Sequence, residues 1–556
     1  MSNMTNMTVA LPETVIRKVC PQARLIGSET ETTDKETAQS AAEKIWEVTP
    51  ESVAKVCLAL RDEAGMDFLR DLMGTDEGDG KTGVYYFMER TADGVNVVLK
   101  AVTADWMPSV TGVWQAAMLK EREVYDFYGL RFLNHPDMRR LFLREDWHGY
   151  PLRKDYVMDE RDEMPGNEYN ADTTTCYTLN EKGEVVAEKR VVFGENDFVV
   201  NIGPQHPSTH GVLRMRTSIE GETVTKVDPI LGYIHRGIEK LCEKRDYKQA
   251  LAMTDRLDYL SAHQNRHALC LCVEKAAGIV VPERAQCIRT MMDELQRIDS
   301  HLLFFSCLAM DMGALTPFFY GFREREMILN IMEETTGGRL IQNYYRYGGV
   351  QADVQPDFLD KVRAFTKRMR SVIKDYNDIL TSNVIAQNRL MGVGILTKED
   401  AISIGTTGGT GRATGWANDV RKRHPYAWYD RVNFKEITYT HCDSFDRYKV
   451  RMDEILESCN ILDQLADMMP EGPVCAKVPA IIKLPAGVYT ASVEASRGEF
   501  GVCIVSDGGK TPARLHFRST GLPLVQAMDT VCRDGKIADL IAIGGTLDFV
   551  IPDIDR

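Results

Sequence analysis

Two long runs of helical periodicity dominate the chain. Between Glu283 and Asp311, Ile288, Met292, Leu295, Ile298 and Leu302 recur at spacings of three and four. Phe445, Tyr448, Met452, Ile455, Leu456, Cys459 and Leu462 mark a second run. Such spacing puts apolar side chains on one side of a helix, which must then be buried against another element. Residues 240–470 therefore read as a helix-rich bundle, with a smaller α/β part after it. The apolar stretch Leu302 to Met310 ends at Asp311. It is far short of the roughly 20 residues a membrane span needs. Any membrane contact is expected to come through partner chains.

The N-terminal third has a different rhythm. Thr49-Pro50-Glu51 reads as a helix start, with Val53, Val56, Cys57 and Leu60 following at helical spacing. Val84 to Glu89 and Val95 to Lys100 are β-prone and flank Asp93-Gly94, a hairpin-turn dipeptide. A helix beside a hairpin predicts a small α+β domain over 1–156. From Val157 to Glu195 the chain turns polar and acidic, which reads as a linker. Residues 196–556 form the second domain. In it Phe198 to Val212 and Val224 to Ile230 read as strands around the loop that starts at Gly203. The fold class is α+β.

Composition narrows the function. A net charge of −14 argues against broad nucleic-acid binding, which needs a basic face. The 13 cysteines are scattered and odd in number, so reduced thiols are expected rather than a disulfide framework. The N-terminus has no basic segment leading into an apolar run, and no secretion signal is expected. There is no C-x-x-C, and Cys270 and Cys272 lie in an apolar stretch that favours structural burial. His263, His267 and Cys270 could share a helix face, but Gln264 stands where H-E-x-x-H needs glutamate. The run Gly405 to Arg412 is rich in glycine yet lacks G-K-[ST]; close backbone packing is its expected role.

Three strings carry a family resemblance: Gly203-Pro204-Gln205-His206-Pro207-Ser208-Thr209-His210-Gly211-Val212-Leu213-Arg214, Asp255-Arg256-Leu257-Asp258-Tyr259, and Asp311-Met312-Gly313-Ala314-Leu315-Thr316-Pro317. Together with the terminal Leu547-Asp548 to Asp555-Arg556, they resemble the quinone-site D subunit of bacterial complex I. Glu121 to Gly129, His135 to Arg140 and Arg144 to Tyr156 resemble its C subunit. The chain thus looks like a fusion of C and D. The D-like part also resembles the large subunit of nickel–iron hydrogenases, to which the D subunit is related. Hydrogenases hold nickel with two C-x-x-C pairs. Here Asp258 and Ser261 fill the first pair of places, and Val550 and Asp553 the second. Without thiolates a soft nickel–iron centre has no ligands, so no metal is expected.

The resemblance implies a peripheral-arm subunit that reduces quinone, with ion translocation coupled to it. His210 and Tyr259 would ligate and protonate the two ends of the quinone head group, and Asp311 would orient His210. A histidine donates near neutral pH, and a tyrosine stays protonated there. Arg236 and Arg256 match family arginines near a 4Fe-4S cluster held by the partner B subunit. The I subunit, the membrane H subunit with its membrane arm, and flavin-binding input subunits are the other implied partners. The place implied is the cytoplasmic side of the inner membrane, peripherally bound. Many family members have histidine where this chain has Ile341. The change implies a lower, less pH-dependent cluster potential and favours menaquinone. The alternatives are a hydrogenase-type large subunit without nickel and a non-catalytic scaffold.

Overall fold

The computed structural model describes residues 10–26, 42–158, 172–204 and 211–556. The chain divides into two compact units, the first built mainly from 43–194 and the second from 195–402 and 406–556.

The first unit contains two sheets. One has the order β1-β2-β5-β4-β3, from β1 (Arg24–Ile26), β2 (Ile45–Glu47), β3 (Phe68–Gly78), β4 (Lys81–Arg90) and β5 (Val95–Thr103). Strands β3 to β5 form an antiparallel meander, and β2 joins β5 in parallel. The β4–β5 connection is the expected turn, with Gly94 at φ +73, a conformation glycine adopts without steric cost. Pro50–Ser52 make a 3-10 turn that leads into the helix Val53–Ala64, which buries Val53, Val56, Cys57 and Leu60 as its spacing requires.

The second sheet runs β6 (Trp106–Pro108), β7 (Arg131–Leu133), β8 (Thr173–Leu179) and β9 (Val185–Val191). Part of the stretch read as linker is therefore a hairpin. Its threonines and valines suit a pleated strand, and the turn Asn180–Glu184 closes it. The helix Ala117–Tyr128 is buried along almost its whole length, charged residues included. Its charges are internally satisfied. Lys120 pairs with Asp71, and the Asp126 carboxylate accepts from the amides of Leu141, Phe142 and Leu143 at 3.0, 2.8 and 3.0 Å.

The second unit opens with the antiparallel sheet β10 (Phe198–Ile202), β11 (Arg214–Glu220) and β12 (Thr223–Ile230). The two expected long helices are present as Glu283–Asp311 and Ser444–Met468. They pack on each other; Glu283–Asp311 also packs on Leu315–Thr336, and Ser444–Met468 on Phe358–Tyr376. A short hairpin, β13 (Tyr345–Arg346) and β14 (Gly349–Val350), follows the Leu315–Thr336 helix. The final part contains the meander β15 (Gly487–Ala495), β16 (Gly498–Ser506) and β17 (Arg514–Arg518), whose first strands lie on the helix Ala262–Ala277. One apolar core runs through these helices and this meander. Helix Glu283–Asp311 is nearly inaccessible all round, so its ends, not its faces, are where a site can open.

Candidate functional site

The second unit holds a cavity of about 70 Å³ at the C-terminal end of helix Glu283–Asp311. Its apolar lining is Leu260, Leu303, Phe304, Met310, Phe549 and Val550, and its polar lining is Tyr259, Cys307, Asp311, Arg497 and Asp548. Four separate segments supply these groups. Tyr259 comes from the turn before helix Ala262–Ala277, and Asp311 is the last residue of its helix. Arg497 sits in the β15–β16 turn. Asp548 follows helix Leu540–Leu547 with φ +61, a left-handed conformation that aspartate tolerates better than most residues.

Arg497 is the fixed cation of the cavity. It donates to Asp258 at 2.8 Å and to the Ser300 hydroxyl at 3.1 Å, and lies 3.3 Å from Asp548. Burial opposes its charge, but Asp258 and Asp548 hold it firmly protonated. The glycine-rich segment secures the turn that carries it. A Cβ on Gly408 would strike the Arg497 carbonyl, and one on Gly498 (φ +138) would stand 2.6 Å from the Thr407 hydroxyl. Close backbone packing is thus what the glycines of 405–412 provide.

Burial raises the Tyr259 hydroxyl above the usual phenol range, against the pull of Arg497. It therefore presents an O–H to the cavity. Burial, helped by the Asp311 and Asp548 carboxylates, pushes the Cys307 thiol up to about 11. The thiol is therefore neutral, the least polar of these five groups.

Of the expected site residues, Tyr259 and Asp311 meet at this cavity. His210 lies outside the described residues. Its neighbour Gly211 (φ +138) packs so closely that an added Cβ would stand 2.6 Å from the Ile551 side chain, beside the cavity-lining Val550. Arg236 and Arg256 form a pair away from the cavity lining, both exposed, with the Arg236 guanidinium donating to the Arg256 carbonyl at 2.7 Å. Burial and the neighbouring Arg256 charge lower the Arg236 pKa. The loop before Arg236 is tied to the chain end: Asp555 accepts from the amides of Gly232 and Ile234 at 2.9 and 3.0 Å.

Arg497 and Asp548 are functional candidates that reading by spacing missed. The available signal was one charged residue in the tight turn between two apolar strands. His263 and His267 are core histidines. Nδ1 of the first lies 3.0 Å from Gln296, and Nδ1 of the second lies 2.6 Å from Asp293.

Comparison with known proteins identifies the family. The family model described as the respiratory-chain NADH dehydrogenase 49 Kd subunit matches residues 311–483 and 477–556. The 30 Kd subunit model matches 46–162, and a nickel-dependent hydrogenase model matches 236–313. The fused C/D subunit of NADH-quinone oxidoreductase from Phocaeicola vulgatus is 59% identical over 514 residues, covering 92% of this chain and 99% of the relative. Its counterpart from Bacteroides fragilis is 58% identical over 529 residues, covering 92% and 100%. The chain belongs to the family of fused C/D subunits of NADH-quinone oxidoreductase.

The separate D subunit of that enzyme from Desulfotalea psychrophila, 45% identical over 372 residues, covers 67% of this fused protein and 100% of its own length. The fused protein is thus a component of a complex I oxidoreductase and works with other subunits of that assembly. No described helix is long and apolar enough to cross a membrane.

The hydrogenase match raises the question of nickel, and the donors do not fit it. Asp258 is engaged by Arg497 and by the Leu260 amide at 3.0 Å. Asp553 accepts from Ser519 at 2.7 Å, Thr520 at 2.9 Å and the Gly521 amide at 3.0 Å. Burial and the nearby Asp258 charge push Asp553 up, which places these two acids in one neighbourhood. Val550 offers no donor atom. Ser261 offers only a hydroxyl, and a set of hard oxygens without thiolates does not make a soft-metal site.

Proposed function

We propose that the cavity binds the head group of a quinone and that this protein passes it electrons and protons. The observation that carries the reading is the convergence of Tyr259 and Asp311, distant in sequence, on one part-apolar cavity beside the fixed charge of Arg497. An apolar cavity with a few convergent polar groups suits a small aromatic ligand. Reduction takes two electrons and two protons. Negative charge appears on the quinone oxygens in a poorly solvated site, where it would cost several kcal/mol if left unpaired. Tyr259 carries the O–H for one oxygen. His210 supplies the other proton, and Asp311 sets its tautomer. Arg497 lowers the energy of the anionic stage.

The electrons come from a 4Fe-4S cluster in the B subunit. The exposed pair Arg236 and Arg256 faces that cluster and favours its reduced form. The pocket is completed by the membrane H subunit, and the I subunit and flavin-binding input subunits make up the chain of donors. Quinone reduction drives ion translocation in the membrane arm. The enzyme works on the cytoplasmic side of the inner membrane, with menaquinone as the favoured acceptor.

The test is Tyr259→Phe in the intact complex. Assembly should be unchanged while quinone reduction falls by roughly 10²-fold or more, the usual contribution of a positioned proton donor. Asp311→Asn should lower the rate and move its pH profile. Full turnover in the Tyr259→Phe complex would remove the reading.

A further inference from the structure

Among the titratable residues of helix Glu283–Asp311, three 0% exposed ones, Glu294, Arg297 and His301, share one buried knot of charge. Arg412 pairs with Glu454, lies 2.6 Å from Glu494, and has Asp419 at 4.0 Å. Arg421 lies 2.6 Å from Asp419 and 3.0 Å from Glu294, and Arg297 lies 3.3 Å from Glu294. Three guanidinium groups thus face four carboxylates, all of them buried. An uncompensated charge at this depth is costly, by several kcal/mol. These three guanidinium groups and four carboxylates by themselves lack one positive charge, which one extra proton supplies; Glu436 and Arg451 flank them with one further charge of each sign.

Glu494 and His301 are the two fully buried groups placed to hold that proton; Glu436, raised by burial and facing Arg412, Asp419 and Arg421, is only partly buried. Glu494 accepts from the Val420 amide at 3.1 Å with the oxygen that does not meet Arg412. It is faced by Arg412, Asp419, Arg421 and Arg297. His301 lies 2.9 Å from Glu454 through Nε2, its buried Nδ1 has no hydrogen-bond partner among the described residues, and Arg451 and Arg297 act on it. The knot also reaches the cavity. Arg451, one turn before Glu454 on the same helix, sits 3.3 Å from Asp548 and 4.6 Å over the Phe304 ring. Asp548 and Phe304 both line the cavity.

We propose that the knot is a proton store holding one exchangeable proton, shared between Glu494 and His301, and that Arg451 and Asp548 couple its occupancy to the charge in the cavity. The coupling rests on the quinone reading; the store does not. Burial, helped by Asp419, raises Glu494 to about 7 against the pull of Arg412 and Arg421, while burial lowers His301. The proton therefore sits mainly on Glu494 near neutral pH. Its release breaks one O–H bond, leaves the bonding pair on the Glu494 carboxylate, passes the proton to water and changes no oxidation state. Glu494 is a positioning residue for a proton and does not touch the substrate.

The experiment is infrared difference spectroscopy on the intact complex at pH values on either side of about 7. The parent should show the deuterium-sensitive carbonyl stretch of a protonated carboxylic acid, lost as pH rises. Glu494→Gln, isosteric with the neutral acid, should lack that band, and the pH dependence of quinone reduction in the same window should flatten. Glu494→Asp keeps an acid and should move the band and its midpoint. A band that persists unchanged in both variants overturns the store. A normal band loss with an unmoved pH profile overturns the coupling. A Tyr259→Phe complex with full turnover and an intact band would sink the quinone reading and leave the store standing.

Discussion

Arg497 donates its guanidinium to Asp258 at 2.8 Å, and both side chains are out of reach of water. Removing one partner of such a pair leaves a buried charge unmet, at a cost of about 3–5 kcal/mol. Arg497→Ala should therefore lower the stability of the assembled protein by roughly that amount and also abolish quinone reduction. Arg497→Lys keeps the charge but loses the fork that bridges Asp258 and Asp548. It should assemble, with a weakened anionic stage seen as a smaller kcat and little change in KM. Melting curves and steady-state kinetics separate the two outcomes, and an Arg497→Ala complex of normal stability would contradict the network.

Glu121 makes the first unit sensitive to alkali. Its carboxyl accepts from the Ser109 hydroxyl at 2.6 Å and the Val110 amide at 2.8 Å, and burial pushes it up to about 8. The unfolded value is about 4.3. A folded pKa above the unfolded one gives stability that is complete below about 4.3 and is lost as pH rises through about 8. Glu121→Gln mimics the neutral acid and should hold the unit together at alkaline pH. Amide exchange in helix Ala117–Tyr128 checks this. An equal alkaline loss of protection in both proteins would exclude the role.

Ile341 has φ +58, a conformation in which a β-branched residue is an outlier. Backbone strain of this kind costs on the order of 1–3 kcal/mol. Histidine is tolerated there better than isoleucine, so Ile341→His should raise the melting temperature or leave it unchanged. If the loop adjoins the partner's cluster, the new imidazole should also give that cluster's potential a slope with pH that the parent lacks. A redox titration of both complexes reads it, and a steep slope in the parent would refute the expectation.

Much of the fold was legible from local pattern. The 3.6-residue periodicity between Glu283 and Asp311 matches the observed helix end to end. Asp93-Gly94 marks the β4–β5 turn because the dipeptide favours the positive φ that such a turn needs. The β8–β9 hairpin was not legible. Its second strand is exposed from Val186 to Val191 and carries Glu188, Lys189 and Arg190, and it follows a polar, acidic stretch, so its composition resembles a linker. Tyr259 and Asp311 were found through matching strings. Arg497 was not, because a lone arginine between two strands carries no periodic signal.

Local spacing and contiguous strings were enough for the two long helices, the Asp93-Gly94 turn and the family, because each rests on residues that are near one another along the chain. Packing in three dimensions is what brings Arg497 and Asp548 to the cavity of Tyr259 and Asp311, and what buries three arginines with four carboxylates. Charge compensation acts through space at low dielectric and does not depend on separation along the chain. Which acid pairs with which arginine is therefore fixed by packing.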